Sequence, residues 1–554
     1  MSAVREIADG YLEQLAPHEP AAAQSIGLGD ESALPDYSPG WYSDRHELDR
    51  STSAALALAE GNADAVLKEA FAERLASYQS LFDTGFTTRL LAPLATPVHF
   101  LREEFEAVTV TPDEAGDAIL ERLRRAPAVL ADYTETLRWS RAEGDRGRFS
   151  GTGVAGATQV RTVADQVSTW IDLDFYRSIP IDDRVTADKR AEFDNAADEM
   201  TAASLEFVRF LRDDLLPTAP TRDAVGDEVY AATARSFLGA PLDLDEIYDF
   251  GWSELHRLVD DARVLATSLG GSARPEDALR SVAAILDAQP GQTLDGVTGI
   301  QRWLTGRVED TIRALDGDAF DLPANIRDVD CIVSKAAAGV VYYTPAPPDA
   351  SAKARIVWTV PNEEAAPTTW REVSSLHHEG VPGHHLEHSI NRANLDLHPW
   401  QRNLCQVHGY AEGWAHYSEG LADELGLFRD EPERLGMLLG QIWRSVRIVT
   451  DIGLHTGRRI PRTSLTAETE WSPELARAFL RELSLTDART ARFEVDRYLG
   501  WPGQALAFKV GAKLWQDARV QAAARPGFTL KGFHRDALAL GPMGLGPLRA
   551  SLLL

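Results

Sequence analysis

Five of the fourteen histidines in this 554-residue chain fall within twelve consecutive residues, HHEGVPGHHLEH at 377–388. Three more follow at His398, His408 and His416. Buried structural histidines usually occur singly, whereas imidazole is the commonest neutral metal ligand and titrates near physiological pH. The cluster therefore predicts a metal or acid–base site, and the chain must fold so that several of these rings meet.

The spacing of these histidines does not fit an unbroken helix. His378 and His384 are six residues apart, so their side chains would project about 120° apart on a regular α-helix. Pro382 has no N–H to donate to the carbonyl four residues earlier, and Gly383 tolerates unusual backbone angles. We therefore expect a break here that brings His384 beside His378, with Glu379 placed to activate a metal-bound water.

Other pairings within the same segment remain open. His384, Glu387 and His388 match the inverted H-x-x-E-H zinc motif with regular i, i+4 spacing, and helix geometry alone slightly favours this set. His377 and His384 share a helix face but lie about 10.5 Å apart along the axis, too far for one ion without distortion.

The segment YAEGWAHYSEGLADE at 410–424 supplies candidates for a carboxylate ligand. Glu412, His416 and Glu419 occur at i, i+4 and i+7, on one face of a predicted helix that is otherwise largely apolar. Burial of a carboxylate is costly unless it meets a cation or a metal. Zinc bound by two imidazoles usually takes a carboxylate as its third ligand, and either Glu412 or Glu419 fits this role.

Most of the chain has the composition and periodicity of α-helix, so we predict a mainly α-helical protein. Residues 111–126 open with Thr111 as the predicted N-cap, and residues 472–483 open in the same way with Ser472. Strand signals at 338–343 and 355–360 flank a proline-rich turn and predict an antiparallel hairpin. We expect an exposed edge of the second strand to pair with an extended peptide.

The proline-containing stretch DLLPTAPTRD at 214–223 is the best candidate for a boundary between lobes. It divides the chain into an N-terminal helical lobe, residues 1–220, and a catalytic helical lobe, residues 221–554. The second lobe carries the β-hairpin near 338–360 and the metal site at 377–419. One continuous domain is the alternative.

Charge and composition exclude several classes of protein. The chain has 84 acidic and 56 basic residues and a formal net charge of −28, so we expect neither nucleic acid nor an anionic membrane surface as a partner. Two cysteines exclude a disulfide framework, and the N-terminus has no apolar signal-peptide core, so we expect a cytoplasmic location. No uncharged apolar run is long enough to predict a membrane span.

The segments HEGVPGHH and YAEGWAHYSE resemble the bacterial domain-of-unknown-function family 885, which is grouped with the zincin-like metallopeptidases. Further segments that resemble this family are AAAQSIGLGD at 21–30, VYYTPAPPD at 341–349, RSVRIVTDIGLHTG at 444–457 and RYLGWPGQALAFKVG at 497–511. The resemblance implies a large helical zincin-like fold with a small antiparallel β-sheet at the active-site cleft. It implies His378, His384 and Glu412 as metal ligands and Glu379 as the general base, and it disfavours the inverted motif.

Zincin chemistry also needs a group that stabilises the oxyanion of a tetrahedral intermediate. The candidates are His455, Arg497 and Tyr498, because they lie in segments that match the family. A structural pairing is the alternative for two of them, with Asp451 for His455 and with Asp496 or Glu494 for Arg497.

Two other features of the matched segments bear on the cleft. Arg444 and Arg447 are candidates to hold a substrate carboxylate, although neighbouring acids are alternative partners. Phe508 occupies a place where the family often has tyrosine, so a hydroxyl role at that position is not expected.

We therefore predict a zinc-dependent hydrolase that binds one Zn²⁺ ion and cleaves peptide bonds through a metal-activated water. The expected partner is a peptide or small amide substrate. Two alternatives are kept. One is a metal-dependent amidohydrolase that uses the same ligands on a non-peptide amide. The other is a non-catalytic helical protein with a structural or vestigial metal site.

Overall fold

The structure, a computed structural model, describes residues 2–29, 33–61, 64–106, 108–317, 319–335, 341–347, 352–360 and 366–553. The described helices are α1 (Ala3–Leu15), α2 (Pro20–Ser25), α3 (Pro39–Leu58), α4 (Ala65–Asp83), α5 (Pro97–Glu103), α6 (Glu114–Asp145), α7 (Ala157–Asp172), α8 (Ala187–Arg209), α9 (Gly226–Leu238), α10 (Leu244–Ser268), α11 (Ala278–Asp287), α12 (Gly296–Leu315), α13 (Thr369–Glu379), α14 (His384–Ala393), α15 (His408–Glu424), α16 (Glu431–Thr456), α17 (Pro473–Leu483), α18 (Ala488–Gly500), α19 (Lys509–Ala523), α20 (Leu530–Ala539) and α21 (Leu545–Leu553). The described strands are β1 (Val329–Lys335), β2 (Val341–Thr344) and β3 (Ala354–Val360). The predicted mainly α-helical class is confirmed.

Two predicted helix starts had different outcomes. Ser472 caps α17 as predicted, because its side chain accepts a hydrogen bond from the backbone N–H of Leu475. Thr111 does not cap α6. That helix begins at Glu114, and the carboxylate of Asp113 accepts the N–H of Gly116. Aspartate is at least as good an N-cap as threonine, so the start moves two residues along the chain.

The three strands form one mixed sheet in the order β1-β3-β2. β2 pairs antiparallel with β3, in the register Val341 opposite Trp358, as the hairpin prediction requires. β1 pairs parallel with β3, in the register Val329 opposite Ala354, so the prediction of a purely antiparallel sheet was wrong. Residues 338–340 of the predicted first strand lie outside the described residues.

The central position of β3 also corrects the expectation about peptide pairing. Both edges of β3 are already paired over residues 355–358, one with β1 and one with β2, so this stretch has no edge left for an extended peptide. The hairpin signal did not reveal this, because residues 329–335 were not predicted to form a strand.

Two large clusters of buried apolar side chains, with a third small one, hold the helices together among the described residues. One lies within residues 37–215 and includes side chains of α6, α7 and α8. The larger one joins residues 4–75 to residues 230–548, so α1 and α4 pack with the part of the chain that carries the histidine cluster. The lobe boundary at residue 220 stays a prediction, since the first 75 residues contribute to the core beyond it.

Helix α16 runs through the larger core and positions the site. Apolar side chains along it are buried from Leu435 to Ile452. It packs against α9, α10, α13 and α17. Any polar side chain on this helix that faces α13 is therefore held rigidly beside the histidines.

Candidate metal centre

The histidine segment is divided between two helices. α13 ends at Glu379 and α14 begins at His384, so the helix breaks where the sequence predicts it. The peptide bond between Val381 and Pro382 in the connection is cis. The rings of His378 and His384 lie with their centroids 5.0 Å apart and their planes at 90°.

Two glycines make the connection between α13 and α14 tight. A Cβ atom on Gly383 would lie 1.9 Å from the carbonyl oxygen of His378 and 2.4 Å from that of His377. A Cβ atom on Gly380 would lie 2.7 Å from the carbonyl oxygen of Leu376. These contacts are all with backbone atoms, so a side chain at either position would force the backbone of the connection to shift.

Helix α15 is fixed directly onto this connection. The indole N–H of Trp414 donates to the carbonyl oxygen of Pro382 at 2.9 Å, and the hydroxyl of Ser418 donates to the same oxygen at 3.2 Å. Both side chains are buried. Glu412 lies on the same helix, so its carboxylate is held in a defined position relative to His378 and His384.

His378, His384 and Glu412 face a common point. Nε2 of His378 lies 3.1 Å from Oε2 of Glu412, and Nε2 of His384 lies 3.6 Å from the same oxygen. The donor atoms of the three residues all lie within 4.8 Å of one another. Ligand atoms of a tetrahedral zinc are separated by about 3.3 Å, given bonds of about 2.0–2.1 Å. The two imidazoles and one carboxylate therefore fit a single zinc ion.

The other ring nitrogen of His378 contacts Glu419. Nδ1 of His378 lies 2.9 Å from Oε1 of Glu419, whose second oxygen accepts a hydrogen bond from the hydroxyl of Ser374 at 3.0 Å. A carboxylate that accepts this N–H fixes the orientation of the ring and leaves Nε2 available to a metal. Glu419 thus lies behind His378, on the side away from Glu412.

His378, His416 and Glu419 form a second group whose donor atoms lie within 4.8 Å of one another. All three residues are buried. In the first group, by contrast, the side chains of His384 and Glu412 are 12% and 22% exposed. The first group is therefore the more exposed of the two.

Gln441 on α16 and Lys509 on α19 orient Glu419 in turn. Nε2 of Gln441 donates to Oε2 of Glu419 at 3.3 Å, and Oε1 of Gln441 accepts from Nζ of Lys509 at 2.7 Å. Lys509 also pairs with Glu254 at 2.8 Å. Because an ammonium group only donates, it holds the Gln441 amide with its NH₂ group toward Glu419.

Burial and hydrogen bonding have opposite effects on the pKa values of the clustered histidines and glutamates. Burial lowers the pKa of His378, but hydrogen bonds to Glu412 and Glu419 outweigh it and raise the pKa to about 10. The pKa of His384 is also raised, because its interaction with Glu412 outweighs burial. Burial raises the pKa values of the two carboxyl groups, but the nearby histidines hold both well below the ordinary value. The two carboxylates therefore favour positive charge between them.

Glu379 is the last residue of α13 and borders the same cluster. Burial raises the pKa of its carboxyl group, and the charges of His378 and His384 act against that rise. A carboxyl group whose pKa is moved toward neutrality is suited to accept and return a proton.

The inverted motif is not assembled into a site. The ring of His388 lies 6.4 Å from that of His384, and its Nε2 faces Glu387 at 3.6 Å. Glu387 is buried and accepts a hydrogen bond from Asn391, and burial raises its pKa to about 7. Regular i, i+4 spacing therefore does not create a ligand set here, because α14 turns Glu387 into the protein interior.

The three residues predicted to stabilise an oxyanion contact one another and not the cluster. Nε2 of His455 lies 2.9 Å from the carbonyl oxygen of Tyr498, and 3.7 Å from Asp451. The Tyr498 hydroxyl and Arg497 both donate to Glu494, at 2.8 and 2.9 Å. Burial lowers the pKa of His455 to about 4. Each residue thus has a structural partner, and a catalytic role for them stays a prediction.

Strand β2 borders the site. The ring of Tyr343 lies 6.4 Å from that of His384 and 5.3 Å from that of His388, and its hydroxyl lies 3.3 Å from Nδ1 of His385. Within the described part of the chain, β2 is an edge strand of the sheet. The sheet therefore does lie beside the candidate metal ligands, as expected.

A family model described as "Bacterial protein of unknown function (DUF885)" matches residues 20–552. The chain belongs to this family. The resemblance inferred from HEGVPGHH and YAEGWAHYSE is thereby confirmed. No curated protein sequence matches this DUF885 protein.

Two solved structures share the fold of the DUF885 protein. One is a "putative lipoprotein" from Colwellia psychrerythraea, with a TM-score of 0.82 and 20% identity, covering 100% of this chain and 99% of that one. The other is a "putative lipoprotein of unknown function" from Shewanella oneidensis, with a TM-score of 0.75 and 14% identity, covering 100% of both chains. At these identities the likeness shows the fold.

Both neighbours are described as lipoproteins, which contradicts the cytoplasmic location predicted for the DUF885 protein; that prediction was wrong. It depended partly on the two cysteines, Cys331 and Cys405, which are both free and buried. A chain of this length builds its core without disulfides, so their absence does not report the compartment. No helix among the described residues combines the length and apolarity needed to cross a bilayer.

Sequence reasoning missed Ser374, Gln441 and Lys509 in the DUF885 protein. Lys509 gave a usable signal, because it interrupts the apolar run ALAFKVG directly after Phe508. A lysine in such a run needs a buried partner. Ser374 and Gln441 gave none, since neutral polar residues are common on helices.

Proposed function

We propose that this DUF885 protein is a zinc-dependent hydrolase that cleaves peptide bonds. One observation carries the proposal: Nε2 of His378, Nε2 of His384 and Oε2 of Glu412 converge, while Glu419 holds His378 from behind. Two imidazoles, one carboxylate and a hydrogen-bonded ring are the usual environment of a catalytic zinc.

The openness of the site favours a catalytic metal over a structural one. Structural zinc sites are closed by four protein ligands, whereas catalytic sites keep a position for water. Three residues form the partly exposed donor group among the described residues, and Glu412 and His384 retain contact with solvent. This argues against the alternative of a purely structural metal.

The proposed chemistry uses a metal and a carboxylate. A bound zinc ion supplies Lewis acidity toward a carbonyl oxygen and lowers the pKa of water. The Glu379 carboxylate accepts the proton of the attacking water and returns it to the nitrogen of the leaving amine. Glu419 holds the His378 ring with Nδ1–H toward itself and Nε2 toward Glu412, so a zinc ion bound at Nε2 would leave Glu379 as the nearby base for the proton of water.

The arrangement is also the basis for proposing a zincin-like site. Residues His378 and Glu379 end one helix, and Glu412 lies on a following helix that packs against their connection. The departure from a plain H-E-x-x-H helix is the break between α13 and α14.

The test combines metal analysis with two matched substitutions in the same segment. We expect about one zinc per chain by elemental analysis. We expect Glu379→Gln to retain zinc and to lose hydrolysis of a peptide library, because an amide cannot accept the proton of water. Glu387→Gln should retain both properties, since Glu387 contacts no metal ligand atom of the proposed set. Full activity in Glu379→Gln, or substoichiometric zinc at saturation, would rule out the mechanism.

A further inference from the structure

Arg444 on α16 is a half-buried cation without an ion-pair partner among the described residues. Its guanidinium lies 5.0 Å from the ring of Trp443 and 5.7 Å from the ring of Phe508. Its buried Nε atom has no hydrogen-bond partner. Burial of an unpaired guanidinium is costly, so its retention at this position needs a reason.

The neighbouring arginines differ from Arg444 in this respect. Arg447 and Arg497 both pair with Glu494, at 2.7 and 2.9 Å. Nearer the cluster, Glu412 and Glu419 take their hydrogen bonds from histidines and from Ser374 and Gln441. Glu412 and Glu419 are thus already engaged, whereas Glu379 feels the charge of Arg444 without forming an ion pair with it. The N–H groups of Arg444 therefore remain available to an external anion.

Arg444 lies beside the proposed metal ligands. The ring of Phe508, which Arg444 contacts, is stacked with the ring of His378 at 6.0 Å and 17°. A Cβ atom on Gly440 would lie 3.7 Å from both Nη1 of Arg444 and Oε2 of Glu419. Two independent contacts therefore place the guanidinium next to the residues that hold His378.

We propose that Arg444 binds the C-terminal carboxylate of a peptide substrate, so that this protein removes residues from the carboxyl ends of peptides. The assignment rests on the proposed hydrolase function and adds its substrate class. A guanidinium presents a planar fork that matches a carboxylate with two parallel hydrogen bonds. The aromatic faces of Trp443 and Phe508 support the guanidinium plane without using its N–H groups.

The test compares a carboxylate with its amide in matched variants. Two N-acetylated random pentapeptide libraries, one with free carboxyl ends and one with carboxamide ends, are given to the zinc-loaded enzyme, and the cut positions are read by mass spectrometry. Binding is measured separately by calorimetry with N-acetyl-trialanine and its amide on zinc-loaded Glu379→Gln protein. A variant that has lost part of its folded protein or its zinc responds less to both the acid and the amide. The ratio of the two responses is therefore unaffected by such losses.

We expect the free acid to be favoured by about ten- to a hundredfold in both measurements, the range for a hydrogen-bonded charge. Arg444→Gln should bring this ratio close to one, and Arg444→Lys should leave an intermediate ratio because charge remains without the fork. Arg434→Gln is the control, since Arg434 lies on the same helix but pairs with Asp423 at the surface.

The outcomes separate this inference from the function on which it rests. Equal cleavage of the two libraries would leave a hydrolase but overturn the carboxylate site. Arg444-dependent cleavage of the amidated library beside Asp or Glu would assign the site to a side-chain carboxylate and overturn the C-terminal assignment. Cleavage of neither library would refute the hydrolase, while Arg444-dependent preference for N-acetyl-trialanine over its amide would still support the carboxylate site. If neither library is cleaved and N-acetyl-trialanine is not preferred over its amide, the carboxylate site is overturned too.

Discussion

Nδ1 of His378 lies 2.9 Å from Oε1 of Glu419, while Nε2 of the same ring faces Glu412 at 3.1 Å. The two glutamates are seven residues apart on α15, which corresponds to two helical turns. One helix therefore holds a single imidazole between two carboxylates. This relationship assigns different tasks to two acids that the sequence left as alternatives.

Glu419→Gln tests the orienting role of the second carboxylate. We expect zinc affinity to fall by about 10–100-fold, the usual effect of removing a partner of a ligating histidine. Competition with a chelator of known zinc affinity measures this. Glu424→Gln on the same helix is the control, because Glu424 pairs with Arg519 near the surface. Equal zinc affinity in both variants would contradict the orienting role.

The affinity for zinc should rise with pH in an unusual range. The pKa of His378 is raised to about 10 and that of His384 is also raised, so zinc must displace protons from charged rings at neutral pH. Zinc affinity should therefore increase by up to about tenfold per pH unit for each displaced proton, and this increase should continue from about pH 7.5 to about pH 9. Ordinary histidines, with a pKa of about 6.5, no longer titrate there. Chelator competition at several pH values measures the slope, and a flat profile would contradict the raised pKa values.

Glu254→Gln tests the buried pair with Lys509. Burial lowers the pKa of Lys509, and the charge of Glu254 acts against that shift. Loss of this charge should destabilise the fold by about 3–5 kcal/mol, as expected when one partner of a buried ion pair is removed. Urea denaturation measures the change. Asp260→Asn, an exposed change on the same helix, should be nearly neutral, and comparable stability of the two variants would refute the argument.

Gly383→Ala tests the tight connection between α13 and α14. The added Cβ would lie 1.9 Å from the His378 carbonyl oxygen, so the backbone must shift and separate His384 from His378. We expect a loss of about 3 kcal/mol in stability, at the upper end for overpacking, together with loss of zinc binding. Gly420→Ala on α15, where a Cβ meets no atom within 4 Å, should be neutral or stabilising. Retention of zinc by Gly383→Ala would show that the glycine is not required for the site.

The approach of His378 to His384 could be predicted from local information, because the helix break depends on adjacent residues. Pro382 and Gly383 lie between the two histidines, and their backbone properties are visible in the sequence. The inverted set of His384, Glu387 and His388 has the more regular spacing in the sequence. The burial of Glu387, which depends on how α14 packs in three dimensions, distinguishes the two.

Other parts of the site depend on contacts between distant segments. Lys509 reaches Glu419 only through Gln441, and these three residues lie on three helices. The sheet adds a different difficulty, since β1 lies just before β2 in the sequence but pairs parallel with β3, and periodicity does not indicate that pairing. Periodicity identifies the helices and the hairpin, but it does not specify which of them are neighbours.

The larger core includes α1 and α4 together with most of the chain beyond residue 230. A polypeptide that started near residue 221 would lack about a dozen of the apolar side chains that fill this interior, among them Tyr11 and Phe71. Cleavage in the segment between α8 and α9 would leave two pieces that remain associated through these helices. Fragment complementation, and not autonomous folding, is the behaviour expected of the two halves.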